Sequence, residues 1–262
     1  MEFTFRPCAS SGRVSFVRRP DLKIENNIAI ITLRAVTRKN AIDRQDLKLM
    51  ADFLTKIKDE KLKCLIFSGE GDTFSSGMYL DELTKGDWNT NPISEVCDLI
   101  EKLPFISICF LNGGIYGGAV ELALSCDFRV GSRVVKLKIP AAKFGIHYGV
   151  KGMRRCIDIF GWQVSKKILF LGQSLEFKEL IEHGFLDYYA EDASCSRDIL
   201  NKMVDEISKS SPDAIRDMKA TLNDLRNDNI DYSIEESRFT HGFKTGIVAK
   251  RLETYKRSRK EK

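Results

Sequence analysis

The sequence predicts an α/β fold followed by a helical C-terminal region, on two observations. Between Ile28 and about Ala190, apolar strand-like runs alternate with helical patterns, as in repeated ββα units whose helices pack on sheet faces. Beyond Ala193 only helical periodicity remains. The first strand-like run is Ile28–Leu33, followed by a helical pattern over 44–58 and a short apolar run over 64–67. A second helical pattern over 92–103 leads into the run Ile106–Leu111. Runs over 128–130 and 134–139 complete the strands, and helices are expected over 194–210, 212–226 and 232–262. No internal repeat is evident.

Two strand-following loops carry the chemistry. Phe74-Ser75-Ser76-Gly77-Met78 follows the run over 64–67, and Ile115-Tyr116-Gly117-Gly118-Ala119-Val120-Glu121-Leu122 follows Ile106–Leu111. At such small residues a backbone N–H can turn toward a ligand instead of pairing in a sheet. Two N–H groups converging on one oxygen make an oxyanion hole, which stabilises a thioester oxygen as it gains charge. Glu121 lies one helical turn beyond Gly118, so its carboxylate can face the same place.

The order of these segments, with Pro104-Phe-Ile-Ser-Ile-Cys-Phe-Leu-Asn-Gly between them and Leu171-Gly-Gln-Ser-Leu-Glu-Phe-Lys-Glu-Leu-Ile-Glu-His-Gly-Phe-Leu-Asp later, resembles the crotonase (enoyl-CoA hydratase/isomerase) superfamily over residues 23–259. The resemblance implies a crotonase-type spiral of ββα units, with an N-terminal extension (1–22), a core (23–192) and a C-terminal helical oligomerisation region (193–262). It also implies a homotrimer or dimer of trimers acting on an acyl-CoA or acyl-carrier thioester. Coenzyme A then enters as part of the substrate, with no separate cofactor. The oxyanion hole falls to the Met78 and Gly118 N–H groups, while Tyr79, Gly117 and His147 flank the substrate. The matching position of Asp127 in the family generally lies off the pocket.

One position departs from the hydratase pattern. Where hydratases of the family carry a second glutamate after a proline, this chain has Pro140-Ala141. A methyl group neither holds nor deprotonates water, so paired-carboxylate hydration is disfavoured, and ordinary isomerisation also loses support. Members that decarboxylate methylmalonyl-type thioesters keep the glutamate matching Glu121, lack the second, and carry a tyrosine at the position of Tyr148. Decarboxylation of a malonyl-type CoA thioester, with Glu121 and Tyr148 catalytic, is therefore the expected activity. Another lyase, isomerase or biosynthetic role, or a non-catalytic scaffold, stands as the alternative.

Composition bounds the remaining classes. With 262 residues and 43% hydrophobic content, one domain of ordinary size can bury a substantial core. No apolar run approaches the roughly 20 residues of a bilayer span. The seven cysteines form no Cys-x-x-Cys and lie mostly in apolar segments, which points to a reducing compartment; with three histidines, no metal site is expected. Residues 1–20 carry Arg6, Arg13, Arg18 and Arg19 as a transit peptide would, but Glu2 and Asp21 interrupt them, and the extension of a cytoplasmic protein is expected instead. All of the formal +5 charge resides in residues 250–262, a localisation that argues against a nucleic-acid surface. Lys256, Arg257 or Arg259 can meet CoA phosphates, or the tail is a solvated helix end.

Overall fold

The computed structural model describes residues 17–84 and 89–260. The chain divides into two compact units, the first ending at Ser208 and the second comprising Lys209–Lys262. The first is built on a six-stranded sheet of β1 (Asp21–Glu25), β2 (Ile28–Leu33), β3 (Cys64–Gly69), β5 (Ile106–Leu111), β7 (Phe128–Ser132) and β9 (Tyr188–Ala190), in that spatial order. Only the β1–β2 pair is antiparallel; the others run parallel. In β2, β3 and β5 the near-continuous apolar runs reflect burial on both faces. Ala29, Ile31, Leu33, Leu65, Phe67, Cys109 and Leu111 enter the main core, while the alternating Ile28, Ile30, Cys64, Ile66, Ile108 and Phe110 enter a second.

That second core is closed by Leu200, Met203 and Val204 of α7 (Ala193–Lys209). Through Ser208 the helix thus belongs to the first compact unit. Spacing alone shows that this helix is amphipathic, but not which surface receives its apolar stripe. Most of the expected N-terminal extension lies outside the described residues, including Cys8; β1 begins at Asp21, inside the expected bounds.

A smaller, parallel sheet of β4 (Thr73–Ser75), β6 (Gly114–Tyr116) and β8 (Leu137–Lys138) positions the site. The strand expected over 134–139 contracts to Leu137–Lys138, because residues 133–134 form a turn closed by the Val135 N–H donating to the Ser132 carbonyl. On this sheet Ser75 pairs with Ile115, which brings the segments following β4 and β6 side by side.

The helices of the first unit are α1 (Arg44–Ile57), α2 (Leu80–Thr84), α3 (Pro92–Glu101), α4 (Gly118–Ser125), α5 (Val150–Phe170), α6 (Phe177–Glu182) and α7. Asp43 and Asp46 form a reciprocal capping box at the start of α1, and the Asn91 carboxamide oxygen accepts the Ile93 and Ser94 N–H groups at the start of α3. Within α5 the backbone breaks at Gly161, whose φ of 68° is open to glycine. Cys64, Cys97, Cys109, Cys126 and Cys156 are buried free thiols, whereas Cys195 is exposed.

The second unit consists of α8 (Pro212–Arg226), α9 (Tyr232–Lys244) and α10 (Ile247–Lys260). The single helical run expected over 232–262 is divided at Thr245-Gly246, with Gly246 at a φ of 73°. Met218, Leu222, Phe239, Phe243, Leu252 and Tyr255 line an apolar groove within this unit.

Candidate active site

Two glycines bring the predicted oxyanion loops together. Gly77 (φ 86°) and Gly117 (φ 54°) adopt the left-handed region that side chains rarely enter. A Cβ at Gly77 would lie 2.6 Å from the Tyr116 carbonyl oxygen and 3.3 Å from the Gly118 nitrogen, so the loops touch at this point. Met78 faces Ile42 across an isolated parallel bridge. The Ile42 N–H donates to the Gly77 carbonyl and the Tyr79 N–H donates to the Ile42 carbonyl, which leaves the Met78 N–H directed away from Ile42. Gly118 is the first residue of α4, where an N–H has no partner within the helix. The structure therefore places two backbone donors on adjoining loops, neither committed to the neighbouring strands.

Glu121 follows one turn along α4 and is 1% exposed. Its Oε1 accepts hydrogen bonds from Ser94 Oγ at 2.7 Å and from Arg155 Nη1 at 2.7 Å. Arg155 is itself buried and also pairs with Asp98 at 2.9 Å and bidentately with Glu101 at 2.9 and 2.7 Å. Asp98 in turn meets Lys151 near the surface. Burial raises the Glu121 carboxyl above its ordinary value, opposed by Ser94 and Arg155. For Asp98, burial acts upward but Lys151 and Arg155 prevail, holding the carboxyl below its ordinary value.

Tyr148 lies in the loop between the short turn Ala141–Phe144 and α5. Its hydroxyl donates to the Gly117 carbonyl at 3.3 Å, one residue before the proposed donor Gly118. The ring approaches Glu121 across Gly152: a Cβ there would lie 2.7 Å from both Glu121 Oε2 and Tyr148 Cε1. Burial raises the phenol well above its ordinary value, with Cys156 and Glu121 adding to the effect, and keeps it a neutral donor. Ala141 is buried and supplies no carboxylate.

The flanking residues differ in placement. Gly117 is integral to the loop. Tyr79 is half-buried, with the Arg38 guanidinium 5.0 Å from its ring centre. His147 is exposed. Asp127 accepts the Ser107 N–H and hydroxyl at 2.7 and 2.8 Å, tying the start of β7 to β5. In the second unit, Arg257 pairs with Glu253, and the Arg259 guanidinium lies 5.5 Å from the Tyr255 ring centre.

Sequence reasoning missed Ser94 and Arg155. A signal was present for both: Ser94, Asp98 and Glu101 fall at i, i+4 and i+7 on α3, one polar stripe on a helix whose other stripe is apolar. Arg155 sits three residues after Gly152 and beside Cys156, on the buried face of α5.

The enoyl-CoA hydratase/isomerase family matches residues 23–261. The chain belongs to that family. This places it among the acyl-CoA enzymes of the crotonase superfamily. It is 30% identical to enoyl-CoA isomerase/hydratase fer4 of Mycosarcoma maydis over 200 residues, covering 70% of this chain and 72% of that protein. It is 22% identical to methylmalonyl-CoA decarboxylase of Escherichia coli over 75% of this chain and 77% of that one. Its fold matches a crystal structure of enoyl-CoA hydratase from Bacillus anthracis with a TM-score of 0.81 at 21% identity, covering 94% of this chain and 97% of the other.

Proposed function

We propose that this crotonase-family chain decarboxylates a malonyl-type CoA thioester. The observation that carries the reading is a single buried carboxylate, Glu121, beside a neutral phenol, Tyr148, with a methyl group at Ala141 where a hydratase needs its second acid. In the reaction the bond from the α-carbon to the substrate carboxylate breaks and carbon dioxide leaves. The electron pair remains as an enolate, whose oxygen is taken by the Met78 and Gly118 N–H groups. When substrate binds, the Tyr148 hydroxyl exchanges the Gly117 carbonyl for the substrate carboxylate and, by donating to it, holds it out of the thioester plane, the geometry that lets the breaking bond overlap the carbonyl. The α-carbon then receives a proton through Glu121, whose upward-shifted carboxyl retains protons better than an exposed glutamate does.

Tyr79, Gly117 and His147 border the acyl group in this reading. The exposed apolar residues of the second unit, Phe239 and Phe243 among them, suit burial between subunits of a trimer or dimer of trimers.

A second reading is double-bond isomerisation on a CoA or carrier-protein thioester, with Glu121 as sole proton carrier. The 30% identity to an isomerase/hydratase and the raised Glu121 carboxyl favour it. The deciding experiment incubates the parent, Tyr148→Phe and Glu121→Gln with methylmalonyl-, ethylmalonyl- and enoyl-CoA substrates, identifying products by mass spectrometry. Decarboxylation by the parent should fall about 10- to 150-fold in Tyr148→Phe, corresponding to about 1.5–3 kcal/mol for a hydrogen bond to a charged group. No carbon dioxide from the parent, or undiminished rates in both folded variants, refutes decarboxylation by this pair. A shifted double bond without loss of mass selects the second reading.

A further inference from the structure

The two oxygens of Glu121 have unequal surroundings. Oε1 receives Ser94 Oγ from α3 and Arg155 Nη1 from α5, each at 2.7 Å. Oε2 accepts no hydrogen bond among the described residues and faces the small gap at Gly152 shared with the Tyr148 ring. Two strong donors on one oxygen fix the carboxylate about its terminal torsion, which is otherwise soft. We propose that Ser94 and Arg155 are positioning residues for Glu121, clamping Oε1 so that Oε2 alone exchanges protons with the acyl group.

The rest of the surroundings explains why Arg155 can serve this role without moving. Its other nitrogens are held by Asp98 and Glu101, both on α3, so the guanidinium is fixed from two sides before it meets Glu121. The titratable groups facing Glu121 are Cys97, Asp98 and Glu101 from α3, Arg155 and Cys156 from α5, and Tyr148 from the preceding loop. Burial holds the Cys156 thiol at about 12 and the Cys97 thiol and Tyr148 phenol well above their ordinary values, so these three stay neutral near pH 7. Among the described residues Arg155 is the one cation in hydrogen-bond contact with Glu121, and it is itself paired with Asp98 and Glu101.

The kinetic part of the test rests on the proposed decarboxylation; the titration does not. Protein labelled with carbon-13 at the glutamate carboxyl is titrated by NMR, with the Glu121 resonance assigned by its loss in Glu121→Gln. Arg155→Gln should raise the Glu121 midpoint by at least about one pH unit, a tenfold rise in proton affinity, as removal of an adjacent opposite charge predicts. Arg155→Lys, which keeps the charge, should restore most of that change. Ser94→Ala, a small change that leaves the α3–α5 ion pairs in place, should raise the midpoint severalfold in proton affinity. In the kinetic arm, the kcat limb governed by Glu121 should move to higher pH with KM within twofold of the parent. An unmoved Glu121 titration in folded Arg155→Gln overturns the clamp. If that variant does not fold, an unmoved titration in Ser94→Ala does so. A shifted titration in a protein that releases no carbon dioxide overturns the decarboxylase reading and leaves the clamp standing.

Discussion

Gly152→Ala tests whether Glu121 and Tyr148 act as a unit. The added methyl would lie 2.7 Å from Tyr148 Cε1, 2.7 Å from Glu121 Oε2 and 2.9 Å from Glu121 Cδ. Carbon atoms settle at roughly 3.5–4.0 Å, so ring and carboxylate must together yield about 0.8 Å or more. Glu121 cannot yield without stretching its bonds to Ser94 and Arg155, and Tyr148 cannot yield without leaving the Gly117 carbonyl. A misplacement of about 1 Å costs on the order of 10²-fold in rate, so kcat for decarboxylation should fall about 10- to 100-fold. Stability should fall by no more than about 2.5 kcal/mol. Overpacking costs about 1–3 kcal/mol, whereas replacing a helical glycine by alanine returns roughly 0.5–1 kcal/mol. Steady-state kinetics on methylmalonyl-CoA, with thermal unfolding as the check on folding, reads both effects. A folded Gly152→Ala protein whose kcat stays within twofold of the parent refutes the inference that these two side chains must keep their present places.

Three further outcomes are expected. Gly118→Pro removes one oxyanion donor and should lower activity at least about 10²-fold; because a Cβ at 118 already meets the flexible tip of Ile93 at 2.2 Å, Gly118→Ala measures the steric part, and equal losses in the two variants would remove Gly118 N–H from the mechanism. Ala141→Glu restores the second acid and should raise hydration of crotonyl-CoA above the parent; a parent that already hydrates it with kcat above about 10 s⁻¹ contradicts the argument from the missing carboxylate. Burial acts to raise the Asp43 carboxyl, but hydrogen bonds from Arg19, the Asp46 N–H and Arg38 outweigh it and hold the group at about 2, against an ordinary 3.8. Because the folded value is the lower, its stabilisation is present above about pH 4 and lost as pH falls through about 2. Asp43→Asn keeps the helix cap but loses the ion pairs, so it should lower Tm at pH 6 and leave it nearly unchanged at pH 2; equal losses at both pH values contradict this.

The strands and loops of the site were legible because their signals are local. Ile28–Leu33 and Ile106–Leu111 are apolar throughout, and Gly77 and Gly117 stand where left-handed backbone is needed. Glu121 was found for the same reason, since four residues of helix fix its direction relative to Gly118. The loss of 134–139 as a full strand reflects a turn at 133–134 that apolar content does not reveal. Assigning α7 to the first unit required knowing that the strand face carrying Ile30, Ile66 and Ile108 lacks another cover, which is a property of the assembled sheet. Ser94 and Arg155 are separated by sixty-one positions (155 − 94), and their meeting at Glu121 depends on how α3 and α5 flank α4. Each had a local oddity, a polar group on a buried helix face, but no local feature named its partner.

The ionic network argues that the site is built around Glu121 for a reason other than stability. Arg155 is buried among Asp98, Glu101 and Glu121, and with Lys151 the group holds three anions against two cations. Removing such charges from water costs several kcal/mol per ion, and well-packed apolar side chains of similar volume commonly stabilise a protein as much or more. The surrounding core shows that apolar packing is available here, because Val96, Cys97, Val120, Leu124 and Cys156 occupy the same three helices. What apolar residues cannot provide is a proton-exchanging group held within hydrogen-bond contact of a fixed cation. Arg155 keeps buried Glu121 ionisable, its own fork is held open by Asp98 and Glu101, and Lys151 offsets part of their charge from the solvent side. The excess negative charge then opposes complete dominance by Arg155. Under the proposed decarboxylation, a carboxyl raised by burial and opposed by a fixed cation is suited to handing a proton to the enolate.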